Sequence, residues 1–212
     1  MTELLLTGGA NADTLVVLAH GAGAPMTSPF MNEIAGLLAE RAVATARFEF
    51  AYMAARRHGR RPPPPRVERL QLEYEVAVAS VRRHARNRPL LIGGKSLGGR
   101  VASLLAGKLH ADGVVAGLVC LGYPFHPPNK PENLRTAHLA ELACPTLIVQ
   151  GERDPFGNRA EVESYPLSPA IRIRWAPDGD HDLGPRGASG FTRRGNLQAA
   201  ADAIAAFARS LK

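Results

Sequence analysis

Short apolar runs alternate with longer amphipathic stretches along most of the chain. Six runs have the length and the β-branched content of strands: Thr14–Ala19, Ala44–Phe50, Pro89–Gly93, Val114–Leu121, Thr146–Gln150 and Ile171–Trp175. Helices are predicted between and after them, at Pro29–Arg41, Val67–Arg86, Leu97–Leu109, Ala160–Tyr165 and Gly195–Arg209. Strands that are apolar without a break are typical of a parallel sheet covered on both faces. The pattern therefore predicts an α/β fold with a mostly parallel sheet of about six to seven strands and helices on both faces.

One segment, Ala51–Arg66, interrupts this alternation. Its sequence, AYMAARRHGRRPPPPR, contains four consecutive prolines and several arginines. A domain boundary at this point would leave too short a sheet on each side, so we interpret the segment as a long loop. The length of 212 residues also suits one ordinary domain, and we expect a single domain over residues 1–212.

The charge balance is basic, with 26 Lys and Arg residues against 19 Asp and Glu residues and a net charge of +7. Such a balance favours an acidic partner such as nucleic acid. Only four of the cations are lysines, however, and an arginine choice this one-sided is also typical of genomic codon bias. The chain has no known nucleic-acid reader motif, and aromatic residues do not interleave with the arginines. We therefore expect no nucleic-acid partner.

The two cysteines and the N-terminus indicate the compartment. Cys120 and Cys144 lie in or beside predicted strands, and two cysteines cannot form a disulfide framework, so we expect buried thiols in a reducing environment. The N-terminus lacks the basic region of a signal peptide, and no apolar run approaches the length of about 18 residues that suggests a membrane span. We expect a cytoplasmic protein without a membrane partner; its oligomeric state does not follow from the sequence.

A glycine-rich motif follows one predicted strand directly. Gly94-Lys95-Ser96-Leu97-Gly98-Gly99 comes after PLLIG and leads into a helical stretch. Strand, Gly-x-Ser-x-Gly and helix in this order form the context of a nucleophile elbow, in which the serine occupies a strained turn. We predict Ser96 as a nucleophile; the structural alternative is a helix start that Ser96 caps. A phosphate-binding loop is excluded, because it needs a glycine where the chain has Pro89.

A nucleophilic serine requires a base and a carboxylate that orients the base. Asp154 follows the predicted strand TLIVQ in the turn GERDP, and His181 follows the strand IRIRW in the segment DGDHD. The order Ser96, Asp154, His181 is that of the α/β-hydrolase arrangement. His20 and His126 are the rival bases, but neither fits this order. Asp154 as a plain turn residue and His181 as a solvated loop histidine are the alternatives.

Acyl transfer also needs two amide donors for the oxyanion. Leu97, the residue after the nucleophile, supplies one by position. The strand TLVVLA leads into His20–Ala24, HGAGA, whose small residues let the backbone approach a substrate. We predict the amide of Ala22 as the second donor, with an ordinary tight turn as the alternative.

With the glycine-rich loop, the serine, the aspartate and the histidine in this order, the chain resembles the α/β-hydrolase superfamily over nearly its whole length. The motifs HGAGAPM, AYMAARRHGRRPPPP, GKSLGGR, GYPFHPPNKP and GERDPFG are similar to those of a small bacterial α/β-hydrolase-like family related to dienelactone-hydrolase-type proteins. Eukaryotic relatives of that family include testis-expressed proteins and a subunit of a chromatin acetyltransferase complex. Dienelactone-type enzymes often use a cysteine nucleophile, whereas this chain has Ser96, which favours serine esterase chemistry.

The chain is short for this superfamily, which implies an open site without a large lid. We expect the site to be bounded by the loops Tyr52–Arg66 and Tyr123–Pro131, with Phe30 near the cleft. The residues predicted to bind substrate are His20, Gly21, Tyr52, Arg56, Tyr123, Phe125 and Phe156. If Arg56, Arg57, Arg60 and Arg61 stand at the mouth, their charge would attract an anionic substrate; a solvated basic loop is the alternative.

The sequence therefore predicts a serine hydrolase, esterase-like or thioesterase-like, that acts on a small acyl compound. No metal or organic cofactor is implied, because no His, Cys or Asp set shows ligand spacing. The chromatin relatives suggest a second hypothesis, a non-catalytic interaction module that keeps the fold.

Overall fold

The computed structural model describes residues 3–9, 11–83, 85 and 88–211. Its centre is a seven-stranded sheet in the order β1-β3-β2-β4-β5-β6-β7. The strands are β1 (Leu4–Thr7), β2 (Thr14–Ala19), β3 (Val43–Phe48), β4 (Leu90–Lys95), β5 (Gly117–Leu121), β6 (Thr146–Gly151) and β7 (Ile171–Ala176). Only the edge strand β1 is antiparallel to its neighbour, and all other pairs are parallel. The predicted α/β fold and mostly parallel sheet are confirmed.

Helices cover both faces of this sheet. They are α1 (Pro29–Ala39), α2 (Ala51–Ala54), α3 (Val67–Arg82), α4 (Leu97–Ala111), α5 (Ala137–Ala140), α6 (Arg159–Val162) and α7 (Arg193–Arg209), with a 3₁₀ helix at Ala55–His58. Helices α1 and α7 pack together on one face through residues such as Ile34 and Ile204. Helices α3 and α4 cover the other face, where Tyr74 and Val101 are buried. The apolar strands thus have both faces out of water, as their sequences predict.

The structure corrects several boundaries. Strand β1 was not predicted, because four half-exposed residues at a sheet edge show neither a long apolar run nor a clear alternation. The segment Ala51–Arg66 is not a loop throughout, since its first eight residues form α2 and the 3₁₀ helix. Strand β5 starts at Gly117 rather than at Val114, and α3 ends at Arg82. The predicted end of that helix at Arg86 lies outside the described residues.

The burial predicted for the two cysteines is confirmed. Cys120 and Cys144 are free and buried. None of the described helices has the length and apolar character that crossing a bilayer would require. No separate helical layer covers the carboxyl edge of the described sheet, so the expectation of a fold without a large lid is also confirmed. Because β2, β4, β6 and β7 are parallel, the segments that follow them meet at this edge.

Candidate active site

Ser96 occupies a sharp turn between β4 and α4. Its backbone angles, φ 50° and ψ −113°, lie in a region that residues with a side chain rarely adopt. Two glycines permit the turn: a Cβ on Gly94 would lie 2.5 Å from the carbonyl oxygen of Ala19, and one on Gly98 would collide with the same residue. The Ser96 N–H donates to the Leu121 carbonyl at 3.0 Å, which fixes the turn against β5. This conformation differs from that of an ordinary helix cap, and the Ser96 side chain forms no capping hydrogen bond.

Asp154 lies fully buried just beyond β6. Its Oδ1 accepts the Phe156 N–H at 2.8 Å, and its Oδ2 accepts the side-chain amide of Gln150 at 2.9 Å. Oδ2 also lies 2.8 Å from Nδ1 of His181. These donors hold the carboxylate in one orientation and compensate for the cost of burying its charge. Gln150 was not among the predicted site residues; it lies on β6, four residues before Asp154.

His181 lies in the segment after β7, with its side chain 22% exposed. Because a carboxylate only accepts hydrogen bonds, the contact with Asp154 places the proton on Nδ1 and leaves Nε2 as the basic nitrogen. The ring of Phe156 packs against the imidazole with 4.3 Å between centroids. His181 is therefore held from two sides in the tautomer that a general base requires.

Ser96 and His181 line the same cavity, which has a volume of about 510 Å³. Its lining also includes Gly21, Ala22, Phe30, Lys95, Phe156 and Arg193. Among the described residues no hydrogen bond joins the Ser96 hydroxyl to His181. Such contacts are often loose in the absence of substrate and tighten in the reacting complex.

The loop after β2 forms another wall of this cavity through Gly21 and Ala22. A Cβ on Gly21 would lie 3.8 Å from the Cβ of Ser96, so the loop runs directly beside Ser96. His20 anchors the loop from behind. The N–H of Phe50 donates to His20 Nε2 at 3.2 Å, so the ring proton is on Nδ1, which donates to the Gly21 carbonyl at 2.6 Å. Burial lowers the pKa of His20, which favours this neutral form.

Two further side chains bind the next carbonyl groups of the loop. The Tyr52 hydroxyl donates to the Ala22 carbonyl at 3.2 Å, and Arg56 Nη1 donates to the Gly23 carbonyl at 3.2 Å. Burial raises the pKa of Tyr52 to about 12, so its hydroxyl stays protonated and able to donate. Because C=O and N–H point in opposite directions in a trans peptide, anchoring the Gly21 carbonyl turns the Ala22 N–H to the other side of the loop.

The first amide of α4 belongs to Leu97. The first N–H groups of a helix have no partner within it. Among the hydrogen bonds of the described residues, neither the Leu97 N–H nor the Ala22 N–H donates to another group. Leu97 follows Ser96 in sequence, and Ala22 belongs to the loop whose Gly21 lies beside Ser96.

The residues predicted to bind substrate divide into three groups. Gly21 and Phe156 line the cavity. His20, Tyr52 and Arg56 lie behind the loop instead and bind its carbonyls. The structure places Tyr123 and Phe125 elsewhere, because both rings are fully buried in the core and pack on each other with 4.9 Å between centroids.

The arginines after α2 do not line the cavity either. Arg57 pairs with Glu3 at 2.8 Å and with Glu49 at 2.6 Å. Arg60 and Arg61 line a separate surface pocket together with the prolines that follow them. The hypothesis that places these arginines at the mouth therefore gains no support from the cavity lining, which favours the alternative of a solvated basic loop.

The rival bases lie outside the cavity lining. His20 is fully buried, and His126 is buried with Nδ1 2.8 Å from the Pro127 carbonyl and Nε2 3.4 Å from Glu161. Within the described part of the chain, no three His, Cys, Asp or Glu side chains are grouped as metal ligands.

A family model described as an alpha/beta hydrolase domain matches residues 12–209 of this sequence. The chain belongs to this family. Its fold is similar to that of a dienelactone hydrolase from Anabaena variabilis, with 22% identity, a TM-score of 0.73, and coverage of 97% of this chain and 90% of that one. An alpha-beta serine hydrolase homologue from Coxiella burnetii is similar at 17% identity, with a TM-score of 0.72 and coverage of 100% and 92%.

A third structure, from Xanthomonas campestris, is described as a member of the α/β serine hydrolases without a lid. It is 16% identical, with a TM-score of 0.66 and coverage of 96% of this chain and 89% of that one. Membership of the alpha/beta hydrolase family supports a hydrolase.

Proposed function

We propose that this protein is a serine hydrolase that cleaves a small acyl ester through Ser96, His181 and Asp154. The observation that carries the proposal is the pairing of His181 with buried Asp154 at 2.8 Å, in a cavity that the strained Ser96 also lines. A strained serine, a histidine of fixed tautomer and a buried carboxylate are the parts that acyl transfer by a serine requires.

In the proposed reaction, His181 Nε2 takes the proton of Ser96 Oγ as Oγ attacks the ester carbonyl carbon. The tetrahedral intermediate collapses, the C–O bond to the alcohol breaks, and His181 returns the proton to the leaving oxygen. Water then attacks the acyl-enzyme with the same base, which releases the acid and restores Ser96. Asp154 stabilises the imidazolium that forms in both steps.

The negative charge on the carbonyl oxygen needs donors that are in place before the reaction. The amides of Ala22 and Leu97 are the proposed donors, because neither donates to another described residue, Leu97 follows Ser96, and the loop of Ala22 runs beside it. The anchored Gly21 carbonyl supports this assignment, since it turns the Ala22 N–H away from His20.

The cavity suits a small substrate with an apolar part. Its volume of about 510 Å³ lies within the ordinary range for small-molecule sites. Phe30 and Phe156 supply apolar surface on its walls. Arg57, Arg60 and Arg61 do not belong to the described lining of the cavity. These arginines therefore do not support an anionic substrate.

Labelling with a fluorophosphonate probe tests the proposal. We expect the probe to modify Ser96, located by peptide mass spectrometry, and the wild-type protein to hydrolyse short members of an ester panel of graded acyl length. Ser96→Ala should lose both signals. Ser164→Ala, which changes an exposed serine at the end of α6, is the matched control and should keep them.

Absence of both labelling and hydrolysis in folded wild-type protein would overturn the proposal. The fold would then serve the alternative of an interaction module. Labelling that survives Ser96→Ala would equally contradict the assignment, because the nucleophile would be another residue.

A further inference from the structure

Lys95 is a buried cation in the active-site cavity, and the reaction described above gives it no task. It is the last residue of β4 and directly precedes Ser96. Only 6% of its surface is exposed. Lysine is almost never buried to this degree unless its charge is paired. Its contacts therefore indicate what it does.

The ammonium group of Lys95 binds the segment that carries His181. Nζ donates to the main-chain oxygen of His181 at 2.8 Å and forms an ion pair with Oδ1 of Asp182 at 3.2 Å. The ring of Phe30 covers it, with 5.4 Å from Nζ to the centroid. A Cβ on Gly122 would come within 3.1 Å of Nζ and 3.3 Å of His181 Nδ1. A glycine at this position therefore leaves room for the contact between Lys95 and His181.

The residues on either side of His181 form local bonds. Asp180 Oδ1 accepts the N–H groups of Asp182 and Gly184, which closes a turn within the segment but does not tie it to Ser96. The bond from Asp154 to Nδ1 orients the ring but connects it to β6. Among these contacts, the two made by Lys95 are those that join the segment of His181 to β4, the strand that directly precedes Ser96.

We infer that Lys95 is a positioning residue that sets the distance between Ser96 and His181. Lys95 and Ser96 are consecutive residues. A covalent connection therefore runs from Ser96 Oγ to Lys95 Nζ, and a single hydrogen bond links Nζ to the main chain of His181. The inference rests on the proposed function, because it concerns the proton transfer between these two residues. Proton transfer is sensitive to such distances, and a misplacement of about 1 Å can cost about 100-fold in rate.

Lys95→Met tests the inference, because methionine keeps most of the apolar stem and removes the charged donor. We expect kcat for a short ester to fall about 10- to 100-fold, with KM within about twofold of wild type. The fold should persist, because the carboxylate that loses its partner, Asp182, has a side chain 65% exposed and stays solvated. A thermal melt measures this. Lys108→Met, which changes an exposed lysine on α4, is the matched control and should leave kcat unchanged.

Chemical rescue separates positioning from packing. Lys95→Ala leaves room for a three-carbon amine, so n-propylammonium should raise its kcat, and propionitrile, which is of similar size but has no hydrogen-bond donor, should not. Wild-type protein in the same amine controls for direct attack of the amine on the acyl-enzyme.

Three results would overturn the inference. The first is a kcat of Lys95→Met within about twofold of wild type while Ser96→Ala is inactive. The second is a raised KM with an unchanged kcat, which would make Lys95 a substrate-binding residue instead. The third is wild-type protein that neither labels at Ser96 nor hydrolyses esters; it would overturn the proposed function and this inference together, and is recognised before any lysine variant is made.

Discussion

The two sides of the cavity are built by different means. On the side of β6 and β7, side chains carry the proposed chemistry: His181 pairs directly with the buried carboxylate of Asp154. On the side of β2, the proposed donor is the main-chain amide of Ala22. Side chains form hydrogen bonds with this loop from the side that faces away from the cavity. His20 and Tyr52 bind the carbonyls of the loop and thereby orient its N–H groups.

This difference determines what a substitution can do on each side. Removing a side chain on the acid–base side deletes a chemical group from the reaction. On the loop side, removing a supporting side chain leaves the amide present and only loosens its orientation. We therefore expect large effects from the first kind of change and graded effects from the second.

The largest effect is expected for Asp154→Asn. Asparagine keeps the shape but can donate to His181 Nδ1, which favours the wrong tautomer of the base. By analogy with other serine triads, kcat should fall about 10⁴-fold. Steady-state kinetics at neutral pH measure this, and Asp202→Asn, at an exposed position on α7, is the control. A loss of less than about tenfold would mean that Asp154 does not orient the base.

The next effect is expected at the loop amide itself. Ala22→Pro removes the N–H, and losing one oxyanion donor typically lowers kcat about 10²- to 10³-fold. Ala22→Gly keeps the N–H and should retain most of the activity. If both variants lose activity equally, the loop matters through its shape and the assignment of the Ala22 amide is wrong.

The supporting hydroxyl should have a smaller effect. Tyr52→Phe removes the donor to the Ala22 carbonyl, and a net hydrogen bond of about 1 kcal/mol corresponds to about fivefold in kcat. Tyr165→Phe changes a partly buried tyrosine that packs against Phe125 and serves as the control. Equal activities of the wild-type and Tyr52→Phe proteins would show that His20 and Arg56 hold the loop without it.

The same contrast explains what the sequence could predict. Ser96, Asp154 and His181 follow apolar strands in motifs whose chemistry is visible in the residues, and the structure brings them to one edge of the sheet. The roles of Tyr52 and Arg56 were not visible, because they depend on contacts with main-chain carbonyls about 30 residues away. Composition alone made their segment look like a charged loop.

The fold shows the same limits. Strands buried on both faces have long apolar runs and were found, with errors of a few residues at their ends. The half-exposed edge strand β1 was missed, because pairing with β3 rather than its own pattern makes it a strand. Lys95 was not predicted to be part of the site, because its partner His181 is distant in sequence. Gln150 was not predicted either, because its partner Asp154 lies across the turn that follows β6.

The last effect concerns stability rather than activity, and it is the acid dependence that His20 contributes. Burial lowers the pKa of His20 below its ordinary value of 6.5 in the folded state, so the unfolded chain binds the proton more readily. Stability from the neutral ring is therefore complete above the unfolded pKa and declines as the pH falls below about 6.5, by at most about 1.4 kcal/mol per pH unit.

Urea unfolding of wild type and His20→Asn at pH 7, 6 and 5 measures the difference, and His58→Asn, at an exposed position, is the control. His138 also has a pKa lowered by burial, so part of the acid dependence should remain in His20→Asn. Parallel pH profiles of the wild-type and His20→Asn proteins would show that His20 is not held neutral, and the fixed tautomer that orients the Ala22 amide would lose its support.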